Sequence, residues 1–261
     1  MKISPQILSA MKRRGEKIAA LTAYDFITAQ IMDEAGIELI LVGDSLGVVV
    51  LGYENTLPVT MEELLHHTRA VARAKPQSLI VGDLPFRSYE TIAQARRNAG
   101  QFQQAGADAV KLEGGVAVAE RVAALTPVIP VLGHIGLLPQ SVPAGEGFRV
   151  QGRTVESAEQ LVRDAQAIEQ AGAFALVIEC TVAEVARAIT AAVKIPTLGI
   201  GAGNGCDGQI LVSSDMLGQF TRCTPKHAKR YANLAEEMRR AFLAYRQDVE
   251  TGKFPDADHS F

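Results

Sequence analysis

The chain has only three cysteines in 261 residues, Cys180, Cys206 and Cys223, and no Cys-x-x-Cys pair. An odd count without metal spacing argues against a disulfide framework or a thiolate zinc site. There is no surplus of positive charge either: the formal net charge is -3, and no long run carries one sign. Nucleic-acid and membrane-surface binding both need a basic patch. The densest basic cluster, "KRRGEK" at residues 12–17, reads as the solvated end of a helix. No apolar run approaches the roughly 18 residues of a membrane helix. The first residues also lack the apolar stretch of a secretory signal, so the expected location is cytoplasmic, with reduced thiols. No GxGxxG follows the first strand candidate, which weakens a doubly wound dinucleotide-binding fold.

What is present is an ordinary globular composition, 48% hydrophobic and 21% charged, with ample material for a core. Short apolar segments alternate with helical patterns along the chain. They are "IAALTA" (18–23), "ELILVGD" (38–44), "SLIVGD" (78–83), "ADAVKLE" (107–113), "IPVLGH" (129–134), "FALVIE" (174–179), "IPTLGIG" (195–201) and the weaker "GQILVS" (208–213). Each is apolar nearly throughout, the mark of parallel strands buried on both faces. The clearest helical pattern covers 157–171, where Ala158, Leu161, Val162, Ala165 and Ile168 recur at helical spacing. Ser157 with Gln160 reads as its capping box and Gly172 as its stop. Three segments, "EAGIELILVGD", "QAGADAVKLE" and "QAGAFALVIE", share one plan: a helix ends in Ala-Gly, an apolar strand follows, and an acidic residue closes it. Eight strands with intervening helices predict a (β/α)8 barrel as one domain over 1–261, with a doubly wound sheet as the alternative. From about residue 225 a helical tail is expected to pack on the barrel or on a neighbouring subunit, closing in the irregular "KFPDADHSF".

In such a barrel the C-terminal strand ends form the active face. Read in order, they carry Thr22 with Asp25, Asp44 with Ser45, Asp83, Lys111 with Glu113, His134, Glu179 and the glycine run "GIGAG". Each has a modest explanation. An Asp after Gly is often a helix cap or turn former. Glu179 could pair with a rim arginine, His134 could be a satisfied core histidine, and the glycines could serve close packing or cradle a phosphate. Independent caps do not explain so many charges at strand ends. Lys111 and Glu113 lie two apart on a strand and so share a face. Asp44 and Asp83 could hold Mg²⁺, which prefers oxygen ligands and keeps waters. Lys111 then supplies a charge for a substrate carboxylate, and Glu179 is the candidate general base.

The motifs "LTAYD", "LVGDSLGVVVLGYENTLPVT", "GDLPF", "AVKLEGG", "GHIGLLPQSV", "GIGAGNGCDGQILV" and the closing "HSF" together resemble the ketopantoate hydroxymethyltransferases, from about residue 18 to the end. The resemblance implies a (β/α)8 barrel and a Mg²⁺-dependent aldol-type transfer of a one-carbon unit from 5,10-methylenetetrahydrofolate to 3-methyl-2-oxobutanoate, in pantothenate biosynthesis. It implies Asp44 and Asp83 as metal ligands, with Glu113 as a further metal-site carboxylate. Ser45, Asp44, Asp83 and Lys111 would contact the oxo acid, His134 would line the pocket, and Glu179 would accept the C3 proton. Members are homo-oligomers, commonly decamers. Two other readings compete: a Mg²⁺ barrel lyase or mutase acting on a 2-oxo acid, and a non-catalytic barrel that binds a metal or metabolite. The long connection 136–154, rich in glycine and proline, is expected to act as a lid.

Overall fold

A computed structural model describes residues 1–142 and 147–261. The chain divides into two compact units, Met1–Leu211 and Val212–Phe261. The first is a closed barrel of eight parallel strands. These are β1 (Ile18–Thr22), β2 (Leu39–Val42), β3 (Leu79–Asp83), β4 (Ala109–Glu113), β5 (Val131–Gly136), β6 (Ala175–Glu179), β7 (Thr197–Ile200) and β8 (Gly208–Leu211). Seven of the apolar segments singled out in the sequence contain one of them; β5 begins inside "IPVLGH" and runs two residues past it, through Ile135 and Gly136. Each strand pairs with the next, and β8 returns to β1 through Ile18↔Gly208 and its neighbours.

Alternate residues of each strand enter two separate apolar layers. Leu39, Leu41, Leu79, Val81, Ala109, Leu132, Ala175, Val177 and Leu198 form one cluster drawn from opposite sides of the sheet, the filling of the barrel. Their neighbours Ile40, Val42, Ile80, Val110, Leu112, Leu176 and Ile178 face outward and pack with helical residues such as Phe102 and Ile168. Side chains alternate across a strand, and both faces here are covered, which is why these strands read as unbroken apolar runs.

The helices around the barrel are α1 (Pro5–Arg14), α2 (Phe26–Glu34), the short α3 (Leu46–Val49), α4 (Met61–Arg73), α5 (Ile92–Gln104), α6 (Ala119–Leu125), α7 (Val155–Gln170) and α8 (Ala183–Ala192). The shared Ala-Gly plan has a local cause. In α2, α5 and α7 the alanine is the C-cap, and the glycine after it takes a left-handed backbone, at φ 77, 99 and 94°. Glycine adopts that conformation without a Cβ clash, so the helix stops and the chain turns into the next strand.

Two sequence expectations need correction. The capping box of α7 is Thr154 with Ser157, not Ser157 with Gln160, so the helix begins one turn earlier. A Thr-x-x-Ser pair satisfies the first amide groups as a Ser-x-x-Gln pair would, and the choice follows where the chain leaves the preceding loop. Nor is "KRRGEK" merely a solvated end. Arg13 and Arg14 are exposed, but Lys12 turns inward. Its Nζ donates to the carbonyls of Thr190 (3.1 Å), Val193 (3.0 Å) and Ile195 (2.9 Å) and lies 2.9 Å from Asp207 Oδ2. Asp207 in turn accepts from the Thr197 amide and hydroxyl. A single ammonium therefore fixes α1 against the entrance to β7, while Leu8 and Met11 of α1 join the barrel filling.

The second unit holds the short α9 (Ser213–Met216) and α10 (Leu234–Glu250), confirming a helical C-terminal segment. No residue of α10 is buried, and Phe242, Leu243 and Tyr245 are exposed. The closing stretch, expected to be irregular, contains a 3-10 turn over Ala257–His259. Asp256 caps it by accepting from the Asp258 and His259 amides. Among the described residues no helix is long and apolar enough to cross a membrane.

Candidate active site

The interior columns of the barrel change character at their C-terminal ends. On β4 the inward residues run Ala109, Lys111, Glu113; on β3, Leu79, Val81, Asp83; on β6, Ala175, Val177, Glu179. The charges begin where the apolar filling stops. Parallel register brings them level, since Asp83 pairs with Lys111, Glu113 with His134, and Gly136 with Glu179.

The result is a continuous polar row across β2 to β6. The Asp44 amide donates to Asp83 Oδ2 (3.2 Å). Lys111 Nζ donates to Asp83 Oδ1 at 2.6 Å and lies 3.5 Å from Glu113 Oε1. His134 sits between two carboxylates, with Nδ1 3.3 Å from Glu113 Oε1 and Nε2 3.2 Å from Glu179 Oε2. Neither ring nitrogen is well aligned for a hydrogen bond, though both lie within reach of a carboxylate oxygen. All of these side chains are buried except that of Glu179, which is 15% exposed.

Burial and mutual charge set the protonation states. Asp44 is pushed up to about 8, first by burial and then by the neighbouring charge of Asp83. Burial also raises Asp83, with Lys111 opposing the rise and Glu113 adding to it. For Lys111 burial works against the charge, but Asp83, Glu113 and Asp44 outweigh it and hold the ammonium well above its ordinary value. Glu113 is likewise opposed by burial, yet Lys111 and His134 lower it. His134 loses by burial and gains more from Glu113 and Glu179, reaching about 9. Three buried carboxylates thus share one lysine and one histidine, an arrangement short of positive charge.

The lesser readings also resolve. Asp25 is a helix cap, accepting from the Thr28 amide at 2.9 Å. Asp44 caps nothing with its side chain and belongs to the row. The partner of Glu179 is His134, not a rim arginine, because β5 and β6 are neighbours and their ends are level. Ser45 lies beside Asp44, and its hydroxyl reaches the Tyr24 hydroxyl at 2.9 Å. In "GIGAG", Gly201 and Gly203 have left-handed backbones, and a Cβ on Gly203 would sit 2.6 Å from that of Ala183. The close-packing reading accounts for that glycine.

Two participants escaped the sequence reading. Gln140 follows β5 in a 3-10 turn, Pro139–Ser141, and is buried within the row. Its side chain donates to Asp44 Oδ2 (2.9 Å) and to the Leu84 carbonyl (3.1 Å), and its amide donates to Glu113 Oε2 (3.1 Å). Tyr89 donates its hydroxyl to Gln140 Oε1 at 2.7 Å. The only sequence signal was a polar residue after proline in "GLLPQSV"; "RSYE" around Tyr89 carries none. Gln140 lies near the start of the connection expected to be a lid and is packed there against Asp44 and Glu113. Residues 143–146 of the expected lid lie outside the described residues.

A metal can be tested against this donor set. Among the described residues no group of three or more His, Cys, Asp or Glu side chains is assembled as a metal cage. The donors nearest each other are hard oxygens, carried by Asp44 and Asp83. That fits Mg²⁺, which is satisfied by one or two carboxylates with water or substrate in its other positions, and does not fit zinc.

An eight-stranded α/β barrel with a buried, charged row at its strand ends defines a barrel enzyme. Solved structures share the fold: phosphonopyruvate hydrolase in complex with oxalate and Mg²⁺ (TM-score 0.62, 18% identity, covering 98% of this chain and 93% of that one), and 2,3-dimethylmalate lyase, a member of the PEP mutase/isocitrate lyase superfamily (TM-score 0.61, 15% identity, 100% and 92%). The particular family is set by sequence. The ketopantoate hydroxymethyltransferase family model matches residues 2–257. The 3-methyl-2-oxobutanoate hydroxymethyltransferase of Syntrophus aciditrophicus is 55% identical over all of this chain and 97% of its own length. That of Moorella thermoacetica is 56% identical over 97% of this chain and 96% of its own. The chain belongs to the ketopantoate hydroxymethyltransferase family and is a transferase.

Proposed function

We propose that the chain transfers a hydroxymethyl group to 3-methyl-2-oxobutanoate from 5,10-methylenetetrahydrofolate, giving 2-dehydropantoate and tetrahydrofolate in pantothenate synthesis, with Mg²⁺ at Asp44 and Asp83 and with Glu113 as a further carboxylate reached through water. The observation that carries this reading is the buried row itself: Asp44, Asp83 and Glu113 gathered around Lys111, with the His134–Glu179 pair alongside. When bound, the metal supplies a Lewis acid that polarises the ketone of the oxo acid. Lys111, held as an ammonium, receives the substrate carboxylate as a point charge. Ser45 offers a hydroxyl from the loop after β2. Glu179 accepts the C3 proton, and His134 keeps its carboxylate in place. The methylene carbon exchanges both of its bonds to folate nitrogen, one for a bond to the C3 carbon and the other for a bond to a water oxygen. Each nitrogen leaves with its electron pair and takes up a proton, one being the proton Glu179 removed from C3 and the other coming from the water. The same reading carries the expectation of a cytoplasmic homo-oligomer, decameric as is common in the family.

Deuterium exchange tests the first half of the chemistry without folate. Incubated with 3-methyl-2-oxobutanoate and Mg²⁺ in D₂O, the protein is expected to exchange the C3 hydrogen, and with 5,10-methylenetetrahydrofolate added it is expected to form 2-dehydropantoate. Absence of both reactions overturns the reading.

A further inference from the structure

Gln140, which lies on a connection and not on a strand, reaches three strand ends at once. Its side-chain amide meets Asp44 just beyond β2 and the Leu84 carbonyl just beyond β3, and its backbone amide meets Glu113 at the end of β4. The orientation of the side chain is not free. Asp44 Oδ2 and the Leu84 carbonyl both demand donors, so the nitrogen must lie on their side, and Oε1 must face Tyr89. The Tyr89 hydroxyl meets it as a donor at 2.7 Å. Every hydrogen-bonding group of the Gln140 side chain is then used, at a residue only 3% exposed.

This geometry assigns a job. With Oδ2 of Asp44 taken by the amide, Oδ1 is left for a cation. With Glu113 Oε2 held by the Gln140 backbone, Oε1 stays beside Lys111 and His134. A neutral amide does this without adding a positive charge that would compete with the metal, as a lysine at this position would. We propose that Gln140, locked by Tyr89, is a positioning residue that presents Asp44 to the metal through one oxygen and holds Glu113 at a fixed distance from it. The inference rests on the metal-dependent reading above and deepens it. It also gives the 3-10 turn Pro139–Ser141 a purpose, since the turn is what delivers the amide into the row.

The test is calorimetric titration of the full chain with Mg²⁺, alongside the apo unfolding temperature. Groups that orient metal ligands typically contribute about 10–100-fold in metal affinity. Gln140→Met keeps the length of the side chain and removes its polar atoms. It is expected to weaken Mg²⁺ within that range and to raise the Mg²⁺ concentration needed for half-maximal C3 exchange. Tyr89→Phe is expected to act in the same direction by a smaller factor. Because the short contact of the Tyr89 hydroxyl is to Gln140 and its contact with the Glu113 carbonyl is long, at 3.5 Å, the double variant should be little weaker than Gln140→Met alone. A purely structural role would lower the unfolding temperature and leave Mg²⁺ affinity unchanged, and that result overturns the proposal. If Gln140→Met does not fold, Tyr89→Phe decides: parental affinity in that variant overturns it as well. A parent chain that binds no Mg²⁺ fails at an earlier and separate point, sinking the metal reading and this inference with it.

Discussion

Lys111 and Asp83 are register partners on adjacent parallel strands, and their side chains meet at 2.6 Å in the buried mouth of the barrel. The lysine is the only ammonium in a row of three buried carboxylates. Its charge is thereby fixed, and a fixed charge cannot serve as a nucleophilic amine. Borohydride reduction in the presence of 3-methyl-2-oxobutanoate should leave the protein mass unchanged. An adduct mapped to Lys111 would mean a covalent aldolase and a metal with no part in the chemistry.

The metal assignment predicts loss of binding, not only of turnover. Asp83→Ala should lower Mg²⁺ affinity by more than the roughly 100-fold upper range typical of residues that merely orient ligands. Calorimetry on the folded variant measures this, and a parental dissociation constant rejects Asp83 as a ligand.

Glu179 is predicted to be the base because it is the carboxylate of the row farthest along from Asp44 and Asp83, with His134 as the partner of its side chain. Glu179→Gln keeps the shape and should reduce C3 deuterium exchange by about 10²-fold or more, the usual scale for a lost general base. Exchange at the parental rate in Glu179→Gln, together with its loss in His134→Gln, would transfer the role to His134.

Cys180 follows Glu179 directly and has a left-handed backbone, with φ at 43°. Its thiol is pushed up to about 11, by burial and then by the charge of Glu179. The thiolate is the reactive form, so alkylation of Cys180 should be slow at neutral pH and accelerate as pH rises toward that value. The exposed Cys223 should label well before it. Mass-spectrometric mapping gives the order, and early labelling of Cys180 would contradict it.

Lys12 is predicted to matter for stability alone. Lys12→Met leaves Asp207 without its counter-charge, though still bonded to Thr197, and frees three carbonyl groups at the end of the barrel opposite the site. Breaking a largely buried pair costs about 3–5 kcal/mol, which urea unfolding should register. The rate of C3 exchange per folded molecule should not change. A loss of under about 1 kcal/mol, as for a surface pair, would restore the simpler picture of a solvated helix end.

Much of this protein was determined by sequence alone, because the signals are local. Strands buried on both faces have to be apolar throughout. A helix ending in Ala-Gly has to turn where glycine relieves the Cβ clash, and Lys111 and Glu113, two apart on a strand, have to share a face. Those facts were enough to place the strands, to read a barrel, and to put Asp44, Asp83, His134 and Glu179 at its mouth. The tertiary structure decided who meets whom. Strand stagger sets Asp83 against Lys111 and Glu113 against His134, and the level ends of β5 and β6 give Glu179 a histidine where the sequence suggested a rim arginine. Gln140 and Tyr89 lie on connections with no periodicity, so nothing local marks them. Lys12 looked like one of three solvated cations, and only closure of the barrel brought Asp207 and the carbonyl groups before β7 within its reach. Contacts between residues far apart in the chain depend on how the sheet closes, and no short-range pattern encodes that.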